Sequence, residues 1–252
     1  MKYLKANYRG IAELLELMPP LMELLGLEQV PHFTTINKFF LRIGTNSANA
    51  LFVGTVCWFD INGTIIAIDS TGYSSEHASK YYALRIHGDL WKRHYVKLSI
   101  AVCSESQCIV ASYARLGPRN DNIDFPWLVE QSAMLAKPAY IVADRGYDSE
   151  ANHRLVRALG SKPMIPLRSS HGYNTTGSFR KKMLRHFNDD IYHRREPVES
   201  VNSVMKRLLG SSVQSRSLAP QCVEVTLMCM IYNAYRKTVI GFHVWFLHGR
   251  MG

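Results

Sequence analysis

Two short apolar segments of the chain each lead into an aspartate. Residues 64–68 precede Asp69 and residues 140–143 precede Asp144, and both runs are too short for a helix but suit a buried strand. A carboxylate is costly inside a sheet, whereas at the exposed end of a strand it can face a cleft. We therefore expect the two acids at one rim of a sheet, with a turn or helix-capping role as the alternative for each.

A pair of neighbouring carboxylates has a characteristic chemistry. Like charges held close together repel, and a divalent cation is a natural neutraliser. Mg²⁺ prefers oxygen ligands and keeps several waters, so two or three carboxylates are enough to bind it. Two such ions about 4 Å apart can activate a water or a 3′-hydroxyl and stabilise the leaving oxygen in a phosphodiester displacement. The aspartate pair is therefore consistent with metal-dependent phosphoryl transfer.

A third acid lies in a segment with helical spacing. Arg195, Glu199 and Lys206 differ by four and seven positions, so they share one face of a helix. Glu196 is the rival acid, but it stands beside Pro197 in the first turn, where an acid favours the helix dipole. We prefer Glu199 as the functional acid; the other interpretation is a solvated helix with an Arg195–Glu199 pair.

The segment also carries a specific resemblance. It resembles the Tyr-Arg-Glu-Lys signature of bacterial and archaeal insertion-sequence transposases of the DDE type, in which two, three and six residues separate the four positions. The matching residues are Tyr192, Arg195, Glu199 and Lys206. In this family the first Asp precedes Ser/Thr-Gly, as in residues 68–72, and the second lies in Ala-Asp-Arg-Gly-Tyr-Asp, as in residues 143–148. The similarity covers nearly the whole chain, and the three motifs in order are specific.

The resemblance implies both a fold and a site. The implied fold is of the α/β class, a ribonuclease H-like mixed five-stranded sheet flanked by helices, with a small N-terminal helical region. The implied catalytic residues and metal ligands are Asp69, Asp144 and Glu199, which would bind two Mg²⁺ ions, with Mn²⁺ as a substitute. Residues expected to contact DNA are Tyr192, Arg195, Lys206, Arg93, Lys97 and Arg145.

The resemblance further implies an activity and a partner. A transposase of this type hydrolyses DNA at the element ends and then uses the freed 3′-hydroxyl to attack target DNA. Its partner would be double-stranded DNA, both terminal repeats and target, and pairing two ends favours a homodimer on DNA. Two alternatives stay open: a ribonuclease H-like nuclease without strand transfer, and a functionally incomplete transposase remnant that only binds DNA.

The charge of the chain agrees with a polyanionic partner. Thirty Lys and Arg against twenty Asp and Glu give a net charge of +10 and a pI near 9.4. Residues 80–97 mix cations, including Arg93 and Lys97, with aromatic side chains that could stack bases, although an exposed hairpin has the same composition. A second basic cluster, either a DNA contact or a solvated loop, comprises Arg168, Arg180, Lys181, Lys182 and Arg185.

Cysteines and hydropathy indicate the compartment. The five cysteines are an odd number without a CxxC pair, which favours free thiols over disulfides or a zinc ribbon. Neither a signal peptide nor a membrane span is expected, so we predict a cytoplasmic protein of a prokaryote that associates with DNA but not with membranes.

The elements that must position the site follow from the periodicity. We expect three short helices within residues 8–43, then three strands, a helix, a strand, a helix, a strand and two helices at about 196–209 and 222–239. This gives an N-terminal helical region at 1–60, a candidate DNA-binding unit that is shorter than in many relatives. A catalytic domain at 61–240 and a tail at 241–252 follow. Asp148 is expected to cap a helix, and Asp121 either supports the site or forms a turn.

Overall fold

The computed structural model describes residues 2–75, 95–168 and 176–248. These ranges contain ten α-helices and six β-strands. The helices are α1 (Tyr8–Leu17), α2 (Pro19–Leu24), α3 (Phe33–Arg42), α4 (Thr45–Val56), α5 (Phe125–Ala136), α6 (Glu150–Ala158), α7 (Ser178–His186), α8 (Asp189–His193), α9 (Glu196–Leu209) and α10 (Leu218–His248). The strands are β1 (Ile65–Ser75), β2 (Tyr95–Cys103), β3 (Ile109–Leu116), β4 (Tyr140–Ala143), β5 (Lys162–Met164) and β6 (Ser212–Val213).

The strands form one mixed sheet in the order β3-β2-β1-β4-β5. Strand β2 is antiparallel to both β1 and β3, whereas β4 is parallel to both β1 and β5. The short β6 pairs in parallel with the far end of β1, at Ser74 and Ser75. The predicted mixed five-stranded sheet flanked by helices is confirmed, with β6 as an additional strand.

Strand β1 is longer than predicted. The expectation that it ends at Asp69 is wrong, because the strand continues to Ser75. The reason is the unequal length of its neighbours: β2 pairs with β1 as far as Ser74, whereas β4 ends at Ala143, opposite Ile68. Within the described ranges, no strand pairs with that edge of β1 between Ile68 and Ser74. Asp69 therefore lies at a gap in the sheet rather than at the end of a strand.

Helices cover both faces of the sheet. Successive residues of a strand point to opposite faces. Asp69 accepts a hydrogen bond from Asn202 of α9, whereas the next residue, Ser70, donates one to Asp121, just before α5. Helix α9 packs on β1 and β2, and α10 packs on β3 and α4, while α5 packs on β3 and β2. The sheet is therefore the middle layer, with α9 over the face to which Asp69 points.

Helix α9 matches its predicted bounds. Proline near its first residue and Gly210 after its last one, with a φ of 94°, explain where it begins and ends. Its buried face is formed by Val198, Val201, Met205 and Leu209, which recur every three or four residues. This apolar stripe fixes the rotation of the helix on the sheet and so determines which polar side chains reach β1.

The N- and C-terminal parts of the chain pack on the same core. Helix α4 contributes Phe52 and Val56 to the main hydrophobic cluster, although it precedes residue 60. Helix α10 runs through residue 240 to His248 without interruption. The division at 60/61 and 240/241 stays a prediction. No helix in the described ranges combines the length and apolar character needed to cross a membrane.

Candidate active site

Asp69 and Asp144 lie side by side at the open edge of β1. Ile68 pairs with Ala143 in the parallel register of strands about 4.8 Å apart, and Asp69 and Asp144 are the residues that follow this last pair. Asp144 begins a single turn of 3-10 helix (Arg145–Tyr147), and its Oδ1 accepts a hydrogen bond from the Gly146 backbone N–H at 2.7 Å. A Cβ at Gly146 would stand 2.7 Å from this oxygen, which explains the glycine.

The Asp69 carboxyl is half-buried and has acidic neighbours. Burial raises its pKa above the ordinary value, and the charges of Asp144 and Glu199 raise it further. The Ser70 backbone N–H and the Arg195 guanidinium lower the pKa without cancelling that rise. Burial therefore outweighs the groups that favour the charged form of Asp69, and a bound cation would stabilise that charged form.

Helix α9 supplies the third acid. Glu199 is close enough for its charge to act on Asp69, yet its side chain is 57% exposed. Its carboxylate forms a hydrogen-bonded ion pair with Arg195, one helical turn earlier. The rival Glu196 is exposed in the first turn of the helix, as expected for an acid at a helix N-terminus.

The three carboxylates of this site fit a hard divalent cation only in part. Asp69 and Asp144 offer neighbouring carboxylate oxygens, the ligand type that Mg²⁺ prefers. Glu199 offers the same donor type but is bound to Arg195. Among the described residues, no three His, Cys, Asp or Glu side chains are close enough together to hold one metal ion. Coordination by all three acids would therefore require Glu199 to leave Arg195.

A further polar residue reaches this site, and the sequence analysis missed it. Asn202, three residues after Glu199 on α9, donates from Nδ2 to Asp69 Oδ2 at 3.2 Å. Its side chain is 8% exposed, and its Oδ1 has no hydrogen-bond partner within the described structure. The i, i+3 spacing from Glu199 was the available signal, since it places both residues on one helix face.

The opposite face of the sheet carries a partly buried ion pair behind the site. Asp121 accepts a hydrogen bond from Ser70 at 3.0 Å and forms an ion pair with Lys97. Lys97 is only 4% exposed and also donates to the Arg119 carbonyl at 2.8 Å. The expectation that Lys97 contacts DNA is therefore corrected: its ammonium is used inside the protein. Asp121 supports the residue next to Asp69, and it also begins a 3-10 turn.

The remaining signature residues lie on α8 and α9 or between them. Tyr192 is half-buried, with its ring centre 5.4 Å from that of Phe187. Arg195 is paired with Glu199. Lys206 places its Nζ 5.7 Å from the centre of the buried Tyr73 ring, further along β1 than Asp69. Helices α8 and α9 thus bring an aromatic group and two cations to the region of the open edge.

The other predicted DNA contacts divide into three groups. Arg145 is exposed directly after Asp144. Arg93, with residues 80–94 of the first basic segment, lies outside the described residues. In the second basic cluster Arg180 points inward, whereas three cations are exposed on α7: Lys181, Lys182 and Arg185.

Asp148 lies at the other end of the 3-10 turn from Asp144 and is surrounded by hydrogen-bonding groups. Arg180 donates to its two oxygens at 3.0 and 2.6 Å, and the Arg168 backbone N–H donates at 2.9 Å. His153 Nε2 lies 3.1 Å from Oδ1. Burial acts to raise the pKa of Asp148, but the bonds from Arg180, Arg168 and His153 outweigh it and lower the pKa. The prediction that Asp148 caps the next helix is wrong, because Ser149 is the cap of α6.

Comparison with known families defines the class of protein. The family model described as the transposase DDE domain matches residues 61–234, which is more than half of the chain. The chain therefore belongs to the transposase DDE domain family. Members of this family are DNA-cleaving and strand-transferring enzymes that generally use divalent metal ions, and the match includes all three candidate acids.

Two solved structures show a more distant similarity. One is the catalytic core domain of BIV integrase, with 9% identity and a TM-score of 0.34, covering 68% of this chain and 82% of that chain. The other is a chain of the simian T-cell lymphotropic virus intasome in complex with PP2A regulatory subunit B56 gamma, with 12% identity and a TM-score of 0.37. That match covers 67% of this chain and 48% of the other. The family assignment rests on the family model and not on these scores.

Proposed function

We propose that this protein is a transposase that uses Asp69, Asp144 and Glu199 to cleave DNA at the ends of a mobile element and join those ends to target DNA. The observation that carries the proposal is the register of β1 and β4, which makes the two aspartates neighbours at an open sheet edge. Glu199 acts electrostatically on the same carboxylate. The family match supports the same activity.

Asp69 and Asp144 are the residues that would hold the cation, and Glu199 would join them after release from Arg195. Two Mg²⁺ ions, or Mn²⁺ in their place, would when bound neutralise the scissile phosphate and make the attacking hydroxyl more acidic. The protein positions the three carboxylates. The strand register places the aspartates, and the apolar stripe of α9 places Glu199. Because the acids repel one another without a cation, the site favours ion binding.

Release of Glu199 would also free a positive group. Arg195 neutralises Glu199 in the absence of DNA, and its guanidinium suits two hydrogen bonds to a phosphate once the carboxylate has moved. Tyr192 and Lys206 would flank the same backbone, with Arg145 on the other side of the acid pair. Arg93 remains a sequence-based candidate, whereas Lys97 is excluded from this set because it is buried against Asp121.

The reaction needs no covalent bond between protein and DNA. In the first step water attacks the phosphorus, the bond from phosphorus to the 3′-oxygen breaks, and the leaving oxygen takes up a proton as a 3′-hydroxyl. In the second step this hydroxyl loses its proton as it attacks a target phosphodiester, and the displaced 3′-oxygen is protonated. Both steps are in-line displacements, so the same three acids can serve both.

The proposal is tested on duplexes copied from the DNA that flanks the gene. Wild-type protein should nick paired ends in the presence of Mg²⁺ and join them to a second duplex, as seen on denaturing gels. Glu199→Ala should abolish both products while DNA binding in a band-shift assay remains. Glu196→Ala is the matched control, because it removes the rival acid from the same helix and should keep near-normal activity.

Each alternative function predicts a different result. Nicking without joined products would show a nuclease that lacks strand transfer. DNA binding without either product would show an incomplete remnant. Near-normal cleavage by Glu199→Ala would remove this glutamate from the catalytic set.

The partners follow from the proposed reaction. The substrate would be double-stranded DNA, with terminal repeats and target as separate duplexes, and synapsis of two ends would require a homodimer on DNA. Analytical ultracentrifugation of the protein with one end duplex tests this: a complex of two chains and two duplexes is expected. Action in the cytoplasm of a prokaryote stays a prediction.

A further inference from the structure

The side-chain amide of Asn202 contacts Asp69, one of the three candidate acids, directly. Its Nδ2 lies 3.2 Å from Asp69 Oδ2, across 133 positions of sequence. Neither residue is freely solvated, since Asn202 is 8% exposed and Asp69 is half-buried. The contact therefore links the strand that carries the first aspartate to the helix that carries the glutamate.

The chemistry of the two groups fixes the direction of this hydrogen bond. An ionised carboxylate only accepts, so the NH₂ side of the amide must face Asp69. A donor on Oδ2 restricts rotation of the carboxylate. The amide therefore holds Asp69 in one orientation before a cation arrives.

The other end of the same amide is unusual. Asn202 Oδ1 is buried and has no partner among the described residues. A buried oxygen without a partner is costly, and native proteins keep few of them. Asn233 on α10 provides the comparison: it is fully buried, its Oδ1 accepts from the Ile109 N–H at 2.9 Å, and its Nδ2 donates to Thr55 and to the Ile109 carbonyl. Asn233 has the full set of bonds of a structural asparagine, and Asn202 does not.

We infer that Asn202 is a positioning residue of the active site, which orients the Asp69 carboxylate for cation binding through its Nδ2–Oδ2 hydrogen bond. This inference rests on the proposed function, since it assumes that Asp69 is a ligand. It adds a fourth polar group to the three acids. It also gives α9 a second task, because the helix then both delivers Glu199 and sets the geometry of the acid on β1.

The test measures cation affinity in the protein without DNA. Asn202→Leu nearly keeps the volume and removes both polar atoms, and Asn202→Ala is a second variant in case leucine does not fit. Groups that orient metal ligands typically contribute 10–100-fold to metal affinity or activity. We therefore expect the Kd for Mn²⁺, followed by the electron paramagnetic resonance of the free ion, to rise about 10-fold or more. The Mg²⁺ concentration for half-maximal DNA cleavage should rise in parallel.

Asn233→Leu is the matched control, with the same substitution at another buried asparagine. It should lower the melting temperature but leave the Mn²⁺ affinity of the folded protein unchanged. An unchanged affinity in both folded Asn202 variants would overturn the inference. If Asp69→Asn abolishes Mn²⁺ binding and cleavage while the Asn202 variants retain both, only the inference fails. If Asp69→Asn retains both, the proposed function fails and the inference fails with it.

Discussion

Asp144 and Asp148 lie at opposite ends of one turn of 3-10 helix, but their hydrogen-bond partners and neighbouring charges differ. Asp148 receives two hydrogen bonds from Arg180, one from the Arg168 backbone and a contact from His153. Asp144 receives a backbone hydrogen bond from Gly146 and has another acid, Asp69, close enough for their charges to interact. Three residues therefore separate a neutralised carboxylate from one with an acidic neighbour.

The difference distinguishes an acid that stabilises the fold from acids that are available to bind a ligand. At Asp148 the hydrogen bonds from Arg180, the Arg168 backbone and His153 lower the pKa, and the Arg180 ion pair ties the start of α7 to the end of the 3-10 turn. At Asp69 burial and the neighbouring acids raise the pKa, and the nearby Arg195 is paired with Glu199. Among the described residues, the protein pairs Asp148 with its own arginine but places no such partner on Asp69 and Asp144. This difference indicates that an exchangeable cation can bind between the two aspartates.

The largest effect is expected from removing the charge of one of the three candidate acids. Asp69→Asn keeps the shape of the side chain and can still accept from Asn202, but it loses the ionised ligand. Cation stabilisation of the transition state contributes several kcal/mol, so Mg²⁺-dependent cleavage should fall by at least about 10³-fold. Single-turnover cleavage of an end duplex measures the loss. Activity within about 10-fold of wild type would show that Asp69 is not a ligand.

The same comparison predicts opposite effects on stability. Asp148→Asn leaves Arg180 facing a neutral amide, and breaking such a pair should lower the free energy of unfolding by about 3 kcal/mol, the low end for buried pairs because Arg180 is partly exposed. Asp69→Asn removes repulsion and should raise that free energy by about 0.5–2 kcal/mol in metal-free buffer. Urea unfolding of both variants with wild type provides the measurement. Equal destabilisation by the two would remove the distinction between the sites.

The pH dependence of stability should separate the two acids as well. Asp148 has a lowered folded pKa, so its contribution is complete above the unfolded pKa of about 3.9 and is lost as the pH falls below it. Asp69 has a raised folded pKa, so the folded state loses stability relative to the unfolded state as the pH rises from about 3.9 through that pKa. In metal-free buffer the advantage of Asp69→Asn over wild type should therefore grow between about pH 4 and 7.

In that same range the deficit of Asp148→Asn should stay constant, and it should shrink only at lower pH. Urea titrations at several pH values, with EDTA present, follow both differences. A constant difference for Asp69→Asn across this range would show that its carboxyl has an ordinary pKa.

The sequence predicted most of the elements that form the site but not all of its contacts. Asp144 was recognisable because a four-residue apolar run ends directly before it, and α9 because proline and glycine mark its ends. Asp69 was misplaced to a strand end because the length of β1 depends on β2, a partner distant in sequence. Lys97 was misassigned for a similar reason, since its ion-pair partner Asp121 lies 121 − 97 = 24 positions away.

The local sequence pattern also failed to predict features that depend on tertiary packing. Helix α4 contains Thr, Asn, Ser and Gly, which are weak helix formers, and it forms where it packs on α10. Helix α7 has Met183 as its single buried residue, so it has no apolar stripe to detect. Asn202 looks like any other polar residue of a helix, and its contact with Asp69 depends on how α9 lies across the sheet.

The smallest predicted effect concerns a cation that belongs to neither site. Among the described residues Lys206 forms no ion pair, and its Nζ lies over the Tyr73 ring at 5.7 Å, which leaves its charge available to a phosphate. Lys206→Ala should weaken end-duplex binding, lower the salt dependence of log K by about one unit, and retain some cleavage with Mn²⁺. Lys162→Ala is the matched control, because Lys162 lies over Tyr140 at 5.5 Å but at the end of β4 remote from Asp144. Fluorescence anisotropy at several salt concentrations compares the two; equal slopes would show that Lys206, like the arginine bound to Asp148, serves the fold rather than the DNA.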